Sequence, residues 1–296
     1  HGECVHLDLR HLGEAYLRER LPQIYELAEE YLGIDPAHEC IPVLPAVHYT
    51  MGGILADGKT ASSLPGLYSV GECSSVGIHG ANRLGSNSLT ELIVFGKVAG
   101  LEAAQFAKSH AAGPTATLQK QAQAAQARAT AVVTQSKGTE KLATLRKEMA
   151  KTMEEGCGIY RQADTMQATC DKIAELRERA KNLRLEDRSK AWNTEFLLNL
   201  ELGYQLEVAQ AMVHSAINRK ESRGSHQRLD GYTERDDVNF LRHSLASYNG
   251  DDAPTISYGP VKITKSPPGK RAYGAAGLEA EAERKAQQQQ QGAGHV

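Results

Sequence analysis

Residues 66–97 read GLYSVGECSSVGIHGANRLGSNSLTELIVFGK. The opening GLYSVGE has the pattern of a short buried strand that runs into a turn. A glycine-rich loop, SSVGIHGANRLGSNS, follows, and then an apolar helix predicted from about Leu89 to His110 and closed by Gly113-Pro114. Strand, glycine loop and helix in this order let a backbone approach a flat cofactor, because glycine has no Cβ to hold it off. The start of the helix presents free N–H groups and the positive end of a dipole, which favours an anionic ligand group. Arg83 lies just ahead of that start in a loop without other charge. Its guanidinium suits a two-bond grip on a carboxylate.

Working outward, Gly52, Gly53 and Gly58 continue the glycine-rich character towards the amino terminus, and Pro42 and Pro45 mark a crossing between domains. His48 sits in that crossing. If the crossing folds back over the loop, His48 and Arg83 can face one small anionic substrate. Taken alone, His48 is more readily a structural histidine, and Arg83 is as readily a loop brace. His79 and Asn82 are read as bracing the loop, and Gly96 and Gly100 as a close helix-packing face.

Before the crossing, VHLDLR (5–10) reads as a strand. A helix follows with the apolar stripe Ile24, Leu27, Ala28 and Tyr31, stopping at Gly33. Beyond the glycine-rich unit, residues 115–136 are rich in Ala and Gln, the composition of a weakly packed helix or linker. Three helical patterns come next: Leu142, Leu145, Met149 and Met153; then Ile173, Leu176, Ala180 and Leu183; then a run from about Phe196 to Arg219. They predict a three-helix packing unit. RKESRGSHQRLD (219–230) concentrates basic residues at a helix end, which suits either capping or a docking surface that supports a cofactor pocket. A short helix is expected near 237–247, then a strand over TISYGPVKIT (255–264). Residues 275–296 are expected to be disordered.

The chain has 296 residues, with 34 Lys plus Arg against 36 Asp plus Glu, so the net charge of -2 argues against a nucleic-acid or anionic-membrane binder. No apolar run reaches spanning length and no secretory leader is evident, so direct membrane insertion is not expected. The cysteines, Cys4, Cys40, Cys73, Cys157 and Cys170, are widely spaced without a CxxC pair. Reduced cytoplasmic thiols are therefore expected, with no metal or iron–sulfur site in this chain. The first residue is His1, and the text opens inside an apparent strand, so a piece of a longer chain is expected.

VHYTMGG (47–53), the 66–97 stretch, EEGCGIYR (154–161) and RKESRGSHQRLD together resemble the flavoprotein subunits of the fumarate reductase and succinate dehydrogenase family, in matching order from about Val5 to Tyr273. HGANRLGSNSL is the most specific string. The HYTMGG and LGSNSL forms lean towards fumarate reductase. The resemblance implies an α+β fragment: the end of a capping domain (1–47), the returning segment of a Rossmann-like FAD-binding domain (48–112), a helical domain (113–230) and a small C-terminal region (231–274), ahead of the tail.

It further implies that His48 binds and Arg83 clamps a substrate carboxylate, and that Glu72 contacts FAD. Asn87, Ser88 and Leu89 would face the pyrimidine edge of the flavin, where a helix start stabilises the charge of the reduced ring. The implied reaction moves hydride from FAD to fumarate, giving succinate in anaerobic respiration. The proton-donating arginine would lie upstream of His1, so no catalytic residue is expected here and the fragment by itself is expected to be inactive. Implied partners are an iron–sulfur subunit and membrane anchor subunits, at the cytoplasmic face of a bacterial inner membrane. Two other readings stand beside this one: a succinate dehydrogenase flavoprotein, and a non-catalytic helical interaction protein.

Overall fold

The computed structural model describes residues 4–44, 47–134, 137–189, 191–264 and 269. Contacts divide the chain into two compact units, residues 1–121 and 122–296.

The first unit opens with β1 (Val5–Leu7), which pairs antiparallel with β2 (Ile41–Val43), Val5 opposite Val43 and Leu7 opposite Ile41. Between them, α1 (Glu14–Arg20) stops at Leu21, and α2 (Pro22–Leu27) starts on a proline, which lacks the N–H that a first-turn residue cannot use anyway. A wider π turn over Ala28–Leu32 then ends at Gly33, whose φ of 65° a glycine tolerates. The small core here is Leu17, Tyr25 and Ala37, packed by Leu9, Leu12 and Leu21.

The expected stripe needs correction. Ala28 is buried, whereas Ile24, Leu27 and Tyr31 are exposed and Tyr25 turns inward. The inward face of α2 runs through Leu21, Tyr25 and Ala28, so the aromatic residue, not the aliphatic Ile24 and Leu27 on the neighbouring face, points to the core. Tyr25 is held in by its hydroxyl, which donates to Asp35 at 2.5 Å, and by the Arg18 guanidinium 4.0 Å from its ring centre.

The glycine-rich segment forms β3 (Ile54–Leu55) parallel to β4 (Ser74–Ser75). Gly53 has φ 133°, and a Cβ there would stand 2.4 Å from the carbonyl oxygen of Cys73, so the approach of these two segments requires glycine. GLYSVGE is not a strand. Tyr68 makes one antiparallel bridge to Ala61, and Gly71–Cys73 wind into a 3-10 turn entered at φ 78°. α3 (Asn87–Ser109) begins two residues earlier than expected and ends before Gly113. Much of its apolar face is exposed, with Leu89 at 68% and Ile93 at 74%, and nothing lies within 4 Å of a Cβ placed at Gly96 or Gly100 among the described residues. Close helix packing at those glycines is therefore not seen. α4 (Thr115–Thr134) buries no residue, in keeping with its Ala/Gln composition.

In the second unit, α5 (Leu142–Cys157), α6 (Ala163–Ala180) and α7 (Thr194–Asn218) pack on one another as expected. Leu145, Ile173, Leu176, Leu202 and Leu206 are almost wholly buried between them. Each such side chain contributes about 1.5–3 kcal/mol. A second cluster, Cys157, Met166, Cys170, Val213 and Ala216, extends the core. β5 (Tyr160–Arg161) pairs in parallel with β6 (Gln227–Arg228), and α8 (Asp237–Phe240) is a single turn capped by Asp236.

The helix expected near 237–247 is also corrected, since β7 (Arg242–Ser247) is a strand, antiparallel to β8 (Thr255–Pro260). Arg219 explains the early stop: it donates to the carbonyls of Phe240 and Arg242, taking acceptors that a longer helix would use. Among the described residues no helix is long and apolar enough to cross a membrane. The disorder expected at 275–296 falls outside the described residues.

Candidate functional site

The crossing does fold back onto the glycine loop. Thr50 N–H donates to Glu72 Oε1 at 2.9 Å, which fastens the segment after His48 to the 3-10 turn. One residue earlier, the Tyr49 hydroxyl donates to Glu91 Oε2 at 3.2 Å. Glu91 is only 3% exposed, on the first turns of α3, and the same oxygen pairs with His79 Nε2 at 2.5 Å. The His79 ring meets the Tyr49 ring edge-on at 5.7 Å, and the guanidinium carbon of Arg83 lies 4.3 Å from the centre of the Tyr49 ring. Burial, and then the Glu91 charge, push the Tyr49 hydroxyl above its ordinary pKa, so it remains a donor.

Arg83 is only partly committed. Its Nη1 donates to the Leu84 carbonyl at 3.1 Å, and its Nε is buried without a hydrogen-bond partner among the described residues. His48 is exposed and has no hydrogen-bond partner among them. Two candidate carboxylate binders are thus linked through Tyr49, with donors left over.

Ser86 enters α3 at φ 66°, and its carbonyl takes the Thr90 N–H, while Asn87 N–H reaches Leu84 O. The N–H groups of Ser88 and Leu89 have no acceptor among the described residues. That pair of free donors, at the positive end of the α3 dipole, suits an electron-rich planar cofactor edge, so the residues present fit FAD. Beside this start lies a cavity of about 230 Å³ lined by Ile78, His79, Asn87, Thr90, Glu91, Val94 and Phe95.

Tyr49 and Glu91 were not among the residues singled out from sequence. The usable signal was an acid inside the otherwise apolar run LTELIVFG (89–96). His79 braces the loop as expected, through Glu91.

The basic cluster of the second unit is internal. Glu221, fully buried, accepts from Arg219 Nε at 2.9 Å, from Arg223 Nε at 2.8 Å and from the Asp236 N–H at 2.9 Å. Arg228 grips Asp230 and donates to Arg219 O and Ile217 O at the end of α7, which is capping. Asp230 in turn receives the Ala163 N–H at the start of α6. His226 Nδ1 accepts from Arg161 Nη1 at 2.7 Å and Nε2–H donates to Arg219 O at 3.0 Å. Burial among Arg161, Arg228 and Arg219 lowers its pKa to about 4.

Sequence profiles assign residues 1–89 to an FAD binding domain family and residues 146–273 to a family described as the fumarate reductase flavoprotein C-terminus. Over 98% of this chain and 48% of the relative, it is 55% identical to a Serratia fumarate reductase flavoprotein subunit. A Rickettsia bellii succinate dehydrogenase flavoprotein subunit is 37% identical over 92% of this chain and 48% of its own length. Among solved structures, an Escherichia coli quinol fumarate reductase superimposes with a TM-score of 0.86 at 55% identity, over 91% of this chain and 46% of that one. A Mycobacterium smegmatis Sdh1 structure gives 0.71 at 31% identity, over 88% and 43%. The chain spans about half the length of the curated relatives it matches.

A flavoprotein fold with an FAD-binding segment is thereby defined. The chain belongs to the fumarate reductase and succinate dehydrogenase flavoprotein family.

Proposed function

We propose that the chain forms the carboxy-terminal half of the flavoprotein subunit of a quinol-linked fumarate reductase, reducing fumarate to succinate with FAD. The observation that carries this is the identity contrast, 55% with a fumarate reductase subunit against 37% with a succinate dehydrogenase subunit over similar spans. Residues 1–47 belong in this reading to the end of a capping domain, 48–112 to the returning segment of the FAD domain, 113–230 to the helical domain and 231–274 to a C-terminal region. An iron–sulfur subunit and membrane anchors complete the complex at the cytoplasmic face of the inner membrane.

Glu72, Asn87, Ser88 and Leu89 would hold FAD, which when bound and reduced through the iron–sulfur subunit would supply hydride to one carbon of the fumarate double bond, a proton from the amino-terminal half going to the other carbon. Arg83 takes one substrate carboxylate with the guanidinium N–H groups that the protein leaves unused. His48, the residue before Tyr49, takes the other carboxylate. Together they fix the double bond in orientation and meet the negative charge that grows towards the carboxylate as hydride arrives.

The test is to co-express the chain with the amino-terminal half of a fumarate reductase flavoprotein subunit, record the visible spectrum, and measure fumarate-dependent oxidation of a reduced dye. Flavin absorbance with fumarate-dependent turnover supports the reading. An assembled complex without flavin absorbance contradicts it and favours a non-catalytic helical protein. Turnover confined to succinate oxidation favours succinate dehydrogenase.

A further inference from the structure

Arg83 poses a problem of placement. It sits in a loop with glycines at positions 77, 80 and 85, and among the described residues its one hydrogen bond is to the carbonyl of the next residue. An arginine so lightly tethered spreads over many rotamers, and a clamp that must be ordered at binding loses affinity. What confines it is the face of Tyr49, 4.3 Å from the guanidinium carbon. A cation over an aromatic face is held in plane while its N–H edge stays open.

Tyr49 is confined in turn. Its hydroxyl is tied to Glu91, its edge is met by His79, and the next N–H is tied to Glu72. Glu91 is the anchor, a carboxylate buried on a helix and satisfied by two donors from two different segments. Burying an acid there is costly unless those bonds are made, so an apolar residue would serve simple packing better. The arrangement also separates the acid from the arginine by one ring. A direct ion pair would occupy the donors that a ligand carboxylate needs, whereas the relay through Tyr49 leaves them free.

We propose that Glu91 and Tyr49 are positioning residues of the carboxylate clamp: Glu91 locks Tyr49 by its hydroxyl, and the Tyr49 ring holds the Arg83 guanidinium ready for a ligand carboxylate. This rests on the reading of Arg83 as a dicarboxylate binder. Because Tyr49 follows His48 directly, the same lock fixes the backbone of the second candidate binder.

The experiment uses the chain assembled with a family amino-terminal half and filled with FAD. The dissociation constant of malonate, a dicarboxylate with no double bond to reduce, is measured by calorimetry and expressed per flavin bound, so that poor filling is not mistaken for weak binding. Tyr49→Leu removes both ring and lock and is expected to weaken malonate about tenfold, the scale of one lost cation–π contact. Tyr49→Phe and Glu91→Ala keep the ring but lose the hydroxyl lock, and each is expected to fall between the parent and Tyr49→Leu, at about threefold. Malonate binding unchanged in Tyr49→Leu, or a Tyr49→Phe variant as weak as Tyr49→Leu, overturns the inference while a weakened Arg83→Ala still supports the clamp. If Arg83→Ala binds malonate as tightly as the parent, the dicarboxylate reading itself fails.

Discussion

The Arg83 guanidinium rests 4.3 Å from the centre of the Tyr49 ring, and Tyr49 is the residue that follows His48. A proline-bounded crossing and a glycine-rich loop, more than thirty positions apart in the chain, are joined at this contact. The donors of Arg83 remain available there because the aromatic face, rather than an acid, holds the cation.

His226 gives the second unit a defined pH dependence. Its folded pKa of about 4 lies below the ordinary 6.5, so the unfolded chain binds more protons between those values. Stability from the neutral ring is complete above about pH 6.5, falls as pH drops towards 4, and changes no further from this group below that. Urea unfolding at pH 7 and pH 5 is expected to differ, with His226 contributing on the order of 3 kcal/mol across the whole window from 6.5 to 4 and part of that by pH 5. In His226→Asn that part of the slope should vanish; an unchanged slope contradicts the assignment. Asp230, held down to about 2 chiefly by Arg228, acts only in more acid solution.

Gly156 lets α5 approach α6 closely. A Cβ there would lie 1.7 Å from Thr169 Oγ1, which already donates to Thr165 O, and 3.0 Å from that carbonyl. Alanine in a helix gains about 1 kcal/mol over glycine. Overpacking costs about 1–3 kcal/mol, and with a β-branched neighbour at this distance the cost is at the upper end. Gly156→Ala should therefore lower the urea midpoint, a net loss of about 1–2 kcal/mol. A raised midpoint would show that α5 and α6 can separate freely.

Thiol reactivity separates the cysteines by burial. Cys4 and Cys73 are exposed, while Cys157 and Cys170 lie in the core, and burial pushes the Cys170 thiol up to about 11 and raises Cys157 as well. With an aromatic disulfide reagent at pH 8, Cys4 and Cys73 should react fast and Cys157 and Cys170 only after denaturant is added. Fast labelling of Cys170 in the folded chain would contradict the three-helix core.

Local patterns made the helical core legible. Leu145, Ile173 and Leu176 recur at helical spacing in uninterrupted helices, so the periodicity maps directly onto burial. Where contacts remote in sequence decide, the reading failed. Tyr25, tied to Asp35, marks the inward face of α2 in place of Ile24 and Leu27, and the Arg219 side chain ended the helix at Phe240 and released 242–247 into a strand. GLYSVGE looked like a strand because Leu67, Tyr68 and Val70 favour extension, but Gly71 enters a turn at positive φ. The candidate residues Glu72, Arg83 and Asn87–Leu89 were legible as a loop and helix start. Tyr49 and Glu91 were not, because their role exists only once the crossing is folded over α3.

The most direct measurement is kcat/KM for fumarate in the FAD-filled assembly with a family amino-terminal half, comparing Arg83→Lys with the parent. Lysine keeps the charge but loses the planar two-bond grip and the stack on Tyr49. The account predicts a fall of about 10²–10³, the scale of losing one preorganised donor at a reacting anion. Full activity in Arg83→Lys would contradict the carboxylate clamp.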